Sequence, residues 1–271
     1  MKIATLGPEG TFSHEAVLKY NNKAGIIFTD TIRDVFEAVA KNNADLGVVP
    51  IENSVAGAIG QTLDCLMKFG LKIKAETILP INHNLAGFRS IKDIKTLYLH
   101  PQTYEQCQLF IRKFLPKAEI VQTSSNGKSA EIIAKLKDNA KAAIIPKIAA
   151  DIYKLNILKR NVQDQKFNIT RFFVMAKEDN DNGKTGNDKT SIAIYPHSDK
   201  PGLLYNILGE FAKRKINLTK IESRPLKGKL GDYIFFIDFE GHRSNNSVAE
   251  SLKKLEETAL VKLLGSYPRK Y

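Results

Sequence analysis

Only two cysteines occur in the 271 residues, Cys65 and Cys107. They stand far apart and neither belongs to a Cys-x-x-Cys pair. Each sits in an apolar helical pattern, TLDCLMKF and YEQCQLFI, so buried thiols are expected in place of a disulfide or a metal site. The five histidines lack His-Glu-x-x-His or other ligand spacing, which argues against metal chemistry. No apolar run reaches the roughly 18 residues of a membrane helix. The first residues, MKIATLGPEG, break into Gly-Pro too early for a signal-peptide core, and a cytoplasmic protein is expected. Like-charge blocks and aromatic–basic interleaving are also missing, so the net charge of +12 reads as solvated surface with a bias toward anionic substrates. Neither nucleic acid nor a membrane is expected as a partner.

What is present is an ordinary folded composition, 43% hydrophobic and 26% charged, in a chain long enough for one large or two ordinary domains. KIATL, IIFT and LGVV read as strands alternating with the helices SHEAVLKY and TIRDVFEAVAK, a βαβαβ unit of a parallel sheet. A helix over QTLDCLMKF follows. Between about residues 96 and 146 the pattern recurs: TLYLH, QTYEQCQLFIRKF, EIVQT, SAEIIAKLK and AAIIP. LKIKAETILPINHNLAGF lies between the units as a crossing, and TRFFVMAK reads as a late strand returning to the first. The expected architecture is two α/β lobes over residues 1–177, the second lobe at about 80–158, with a cleft between them. The polar stretch 178–189 is the expected linker. Residues 190–271 follow with βαββαβ order, a ferredoxin-like module; its strands INLTKIESRP and DYIFFIDFEG are joined by LKGKLG.

Ligands of open α/β sheets bind beyond the carboxyl ends of the strands. GPEGTFS (7–13) lies at such an end; the N–H groups near Gly10 and Thr11 suit a carboxylate, and a tight turn capped by Thr11 or Ser13 fits the same residues. No Gly-Lys-Ser/Thr or third fingerprint glycine makes it a nucleotide loop. PIENSVAGAIG (50–60) places Glu52, Asn53 and Ser54 at another end, too early for simple caps and followed by small residues that admit a ligand or another backbone; a site is favoured slightly over a structural turn. NITRFF (168–173) opens the returning strand. Thr170 and Arg171 could be a strand start facing water. If the strand returns to the cleft, Thr170 could donate to a leaving oxygen and Arg171 could fork a carboxylate. Spacing does not choose between these readings.

LGPEGTFSHEA, VVPIENSVAGAI, HPQTYEQC, VQDQKFNITRFF and INLTKIESRP, in this order, resemble prephenate dehydratase with a C-terminal ACT domain. The resemblance covers nearly the whole chain. It implies a periplasmic-binding-protein-like pair of lobes and decarboxylating dehydration of prephenate to phenylpyruvate, without a cofactor. The family's catalytic Thr-Arg-Phe falls on Thr170, Arg171 and Phe172. Asn168, Gly10, Thr11, Glu52, Asn53 and Ser54 fall on its substrate motifs. L-Phenylalanine is implied as an allosteric effector bound through Gly202, Leu203, Leu204 and Asn217 with Glu222, Ser223 and Arg224; Leu203 departs from the family's usual alanine, and SSNGKSA (124–130) from its alanine-rich Ser-Thr-Ala run. Read alone, TKIESRP alternates, with Lys220, Glu222 and Arg224 on one face and Ile221 and Ser223 on the other, a pattern that also suits a charge-protected edge strand. ACT modules imply a homodimer or homotetramer. Arogenate dehydratase, which shares the motif, and a non-catalytic two-lobed sensor are the competing readings.

Overall fold

The computed structural model describes residues 1–178, 183–198, 200–226 and 233–271, and three sheets organise them. The chain opens with β1 (Lys2–Leu6), α1 (Phe12–Tyr20), β2 (Gly25–Thr29), α2 (Ile32–Ala40) and β3 (Leu46–Asn53). β1 pairs in parallel with β2 and β3, the unit expected from the alternation. A short strand, β4 (Gly57–Ala58), folds back on the end of β3, and α3 (Gly60–Phe69) and β5 (Lys72–Pro80) follow.

The second lobe runs through β6 (Asn84–Gly87), β7 (Thr96–Leu99), α4 (Pro101–Gln106), α5 (Gln108–Phe114), β8 (Glu119–Gln122), α6 (Asn126–Leu136), β9 (Lys141–Ile145), α7 (Lys147–Ile152) and β10 (Asn156–Lys159). The helix expected over QTYEQCQLFIRKF divides at Cys107, whose backbone (φ −128°, ψ 18°) leaves the helical region. Beyond the break, Phe110 and Ile111 pack with Cys107, Leu97 and Leu99 under the sheet. The chain then returns as β11 (Ile169–Ala176), antiparallel between β3 and β5. The first sheet has the order β2-β1-β3-β11-β5 and the second β10-β6-β9-β7-β8. Two crossings join the lobes, β5 to β6 and β10 to β11.

The last sheet is built from β12 (Asp188–Pro196), β13 (Leu218–Pro225), β14 (Tyr233–Glu240) and β15 (Ala259–Pro268), with α8 (Leu203–Ala212) and α9 (Asn246–Glu256). Its order is β13-β14-β12-β15, antiparallel throughout. One face carries the helices, with Phe211 of α8 packed among Ile192, Ile194 and Phe239. The other buries Ala193, Phe236, Leu264 and Tyr267 against Val49, Leu66 and Ile73 of the first lobe. The module is therefore docked through a shared apolar core. Within the expected linker, 179–182 lie outside the described residues. Asp188 and Lys189 depart from the expectation: they open β12 and are buried. Asp188 accepts the N–H groups of Thr185 and Gly186, and Lys189 Nζ lies 3.2 Å from Glu76. Of the expected 226–231 connection, all but Leu226 lies outside the described residues. Among the described residues, no helix is long and apolar enough to cross a membrane.

Candidate active site

Side chains alternate along a strand, so Thr170 and Phe172 face one side of β11 while Arg171 and Phe173 face the other. Thr170 pairs in register with Asn53 on β3. Asn53 Nδ2 donates to Thr170 Oγ1 at 2.9 Å and to Asn168 Oδ1 at 2.7 Å. Asn53 Oδ1 accepts the backbone N–H groups of Val55 and Ala56, which folds the ENS segment into a turn. Asn168 Nδ2 donates to Gln106 Oε1 at 3.0 Å, and Gln106 Oε1 lies 2.8 Å from His83 Nε2. Five side chains from both lobes and both crossings thus form one hydrogen-bonded chain. Thr170, Asn53 and Asn168 were expected from sequence; His83 and Gln106 were missed. Gln106 lies inside the HPQTYEQC stretch, and His83 is a polar residue in the apolar crossing, the signals that could have found them.

The chain borders a cavity of about 160 Å³ between the lobes. Thr170, Asn53, His83, Gln106, Phe172 and Phe12 are among its lining residues, with the starts of α1, α4 and α6 contributing Ser13, Gln102 and Asn126. Neither Lys, Arg, Asp nor Glu is among them. Burial lowers the pKa of His83, with a smaller opposing effect from its Gln106 hydrogen bond, and burial also lowers that of His100. Both therefore favour the neutral form. The lobes touch closely beside the cavity. A Cβ on Gly127, at the start of α6, would lie 2.3 Å from the Glu9 carbonyl oxygen. Gly10 holds φ +84° and packs on Ala149 of α7. Gly10 and Thr11 shape this contact and are not among the cavity's lining residues; Thr11 caps α1, accepting from His14 N–H and donating to the Leu6 carbonyl.

Arg171 and Glu52 sit opposite one another on the reverse face of the same strands. Arg171 is buried and donates to Glu76 at 2.6 Å, Asp238 at 2.5 Å and the Tyr267 hydroxyl at 2.9 Å. Its guanidinium therefore belongs to the seam with the last sheet, and the carboxylate fork into the cleft is not the geometry it adopts. The physical reason is the two-residue period of the strand. Burial opposes its charge, but Tyr267, Asp238 and Glu76 outweigh this and hold its pKa above the ordinary arginine value. Burial and the Arg171 charge push Lys189 down to about 8. Glu52 lies 3.5 Å from Lys220 and 3.8 Å from Arg171, again at the seam. Ser54 Oγ accepts the Ile169 N–H at 3.0 Å and stitches the turn to β11.

The residues expected to hold an effector divide between two faces. Gly202 (φ +85°) precedes Leu203 and Leu204 at the start of α8, and Asn217 donates to Glu240 before β13. Lys220, Glu222 and Arg224 share the β13 face turned to the first lobe, while Ile221 and Ser223 are exposed. Arg224 does not join the α8 group. Its Nη2 lies 3.3 Å from Asp64 and its guanidinium covers Gly60 at the start of α3.

This geometry defines a two-lobed cleft protein with a threonine hydroxyl aimed between its lobes and a βαββαβ module docked behind it. Residues 3–180 match the family model for prephenate dehydratase, and residues 197–257 match that for the ACT domain. The chain belongs to the prephenate dehydratase family. It is 44% identical over 272 residues to a bifunctional chorismate mutase/prephenate dehydratase of Aquifex aeolicus, covering 99% of this chain and 74% of that protein. It is equally 44% identical over 267 residues to a prephenate dehydratase of Methanocaldococcus jannaschii, covering 96% of each. The solved structure of prephenate dehydratase in complex with L-Phe from Arthrobacter aurescens aligns at TM-score 0.90 and 36% identity, over 99% of this chain and 90% of that one.

Proposed function

We propose that this chain converts prephenate to phenylpyruvate in the cleft, with Thr170 donating a hydrogen bond to the departing ring hydroxyl. The observation that carries the reading is the Asn53–Thr170 bond. Asn53 Oδ1 is occupied by two backbone N–H groups, so its Nδ2 is the donor and Thr170 Oγ1 the acceptor. The threonine hydrogen is left free for the cavity. In the reaction the bond from the ring to its carboxylate breaks and carbon dioxide leaves. Its electron pair enters the ring, the ring carbon–oxygen bond breaks, and hydroxide takes one proton to become water. A weak but placed donor suffices because the ring gains aromaticity. Such a group typically contributes ~10²–10⁴-fold.

A dianion in a cavity whose lining residues include no Lys or Arg must be held by dipoles. The starts of α1 and α6 reach the cavity, and helix N-termini favour negative charge. The lining also carries no carboxylate to pair with an ammonium, which supports prephenate over arogenate. Asn53 and Asn168 orient Thr170 and close the cleft, and Phe172 supplies an apolar wall. L-Phenylalanine as effector is supported by the ligand of the Arthrobacter aurescens structure and would act through the module behind Thr170. The exposed Ile221 and Tyr205 suit an interface between copies, as a homodimer or homotetramer.

The test is phenylpyruvate formation from purified protein, with prephenate or arogenate, with and without phenylalanine. Prephenate turnover that phenylalanine inhibits is expected. Turnover of arogenate alone would transfer the proposal to the amino acid, and no product from either, in folded protein, would leave a binding protein.

A further inference from the structure

One residue lining the cavity carries a buried side-chain nitrogen with no partner among the described residues. His83 is 2% exposed and lines the cavity, and its Nδ1 has no hydrogen-bond partner. The residue is firmly held. Its N–H donates to Gln163 Oε1 at 3.0 Å, its carbonyl accepts from Val162 N–H at 2.8 Å, and its ring stands edge-on to Phe12.

The side-chain network fixes the tautomer from the backbone outward. Val55 and Ala56 N–H can only donate, so Asn53 Oδ1 accepts and its Nδ2 donates. Asn168 Oδ1 accepts that bond, so Asn168 Nδ2 donates to Gln106. Gln106 Oε1 is then an acceptor, and His83 Nε2 must carry the hydrogen that meets it. The neutral ring is left with a bare lone pair on Nδ1. A buried acceptor without a partner is costly, and the ligand that relieves it must bring a donor. With both carboxylates ionised, the ring hydroxyl is the single donor on prephenate.

We infer that His83 Nδ1 accepts the hydrogen of the substrate's ring hydroxyl and turns that oxygen's lone pairs toward Thr170. This rests on prephenate as the substrate. One backbone-anchored chain then sets both ends of the recognition, a donor at Thr170 and an acceptor at His83. His83 neither gains nor loses a proton in the step. The leaving hydroxide keeps its own hydrogen, and the proton that makes it water comes through Thr170 Oγ, replenished from solvent.

The test compares His83→Asn, whose Oδ1 retains an acceptor at the δ position, with His83→Gln and His83→Leu, which do not. With prephenate, Gln and Leu are expected to lose roughly 10–100-fold in kcat/KM, and Asn to stay within a few-fold of wild type. Wild-type kcat/KM should fall as pH drops through the lowered His83 pKa, because a protonated Nδ1 becomes a donor. Asn should lack that limb. His100 is the other titratable group lining the cavity. Glu52 and Arg171, on the framing strands, face the opposite side, while Cys107 and Asp164 flank Gln106. His100→Asn therefore serves as the control that leaves the limb in place. Nitrogen-15 NMR of the wild type should find the Nε2–H tautomer of His83 at neutral pH, whether or not the variants fold. Equal losses in folded Asn, Gln and Leu variants, a limb that survives in Asn, or the Nδ1–H tautomer would overturn the inference. If wild-type protein does not turn over prephenate, it is the substrate reading that has failed.

Discussion

Thr170 accepts from Asn53 and keeps its hydrogen for the cavity. Thr170→Ala should lower kcat by about 10²–10⁴-fold with little change in KM, while Thr170→Ser should recover most of it; steady-state kinetics on the three proteins checks this. Arg171 predicts a different phenotype. Arg171→Leu leaves Asp238 buried without its cation and Glu76 with Lys189 alone, a loss of about 3–5 kcal/mol, read as a lower urea midpoint. Turnover by the folded fraction should drop far less than for Thr170→Ala. The adjacency of the two residues in sequence hid this division. Thr170, Asn53 and Asn168 were legible through the motifs of the family resemblance. Glu52, Ser54 and Arg171 were grouped with them because sequence neighbours look alike until the strand's faces are assigned. His83 was not legible, since its meaning lies in which of its nitrogens is left unpaired.

The elements themselves follow closely from hydrophobic alternation. Both βαβαβ runs and the returning β11 lie where the apolar patterns place them, whereas the stretch read as a crossing, LKIKAETILPINHNLAGF, is mostly β5 (Lys72–Pro80) and β6 (Asn84–Gly87), with the crossing itself confined to the residues between them. Charge paired at a distance is harder to read. Lys189 sits in a wholly polar run, yet Glu76 and the ring of Tyr271 take it into the seam, and no local signal marks that. The packing of elements across the cleft carries its own prediction. Gly127→Ala would push the start of α6 off the Glu9 carbonyl without disturbing either sheet. A displacement on the order of 1 Å there should cost about 10–100-fold in kcat/KM, with an unfolding transition close to wild type.

At the scale of the molecule, the last sheet is continuous with the first lobe's core, and its charged β13 face meets the strands and helix that frame the cleft. Lys220 reaches Glu52, next to Asn53, and Arg224 reaches Asp64 on α3. The Arg224–Asp64 pair is partly exposed on both sides, so its contribution to stability is small; the place of both pairs suits them to transmit a state. Coupling is reciprocal between two ligands. If Arg224 carries it, Arg224→Ala should bring the ratio of phenylalanine affinities with and without substrate toward one, as measured by calorimetry with a non-reacting substrate analogue. An unchanged ratio would assign coupling elsewhere. The central claim remains that a threonine held by Asn53 in this cleft assists loss of the ring hydroxyl. The most direct measurement is the single-turnover rate of phenylpyruvate formation from prephenate by wild type, Thr170→Ala and Thr170→Ser. The account predicts product from wild type and serine and a collapse in alanine. A wild-type rate in alanine, with the protein folded, would contradict it.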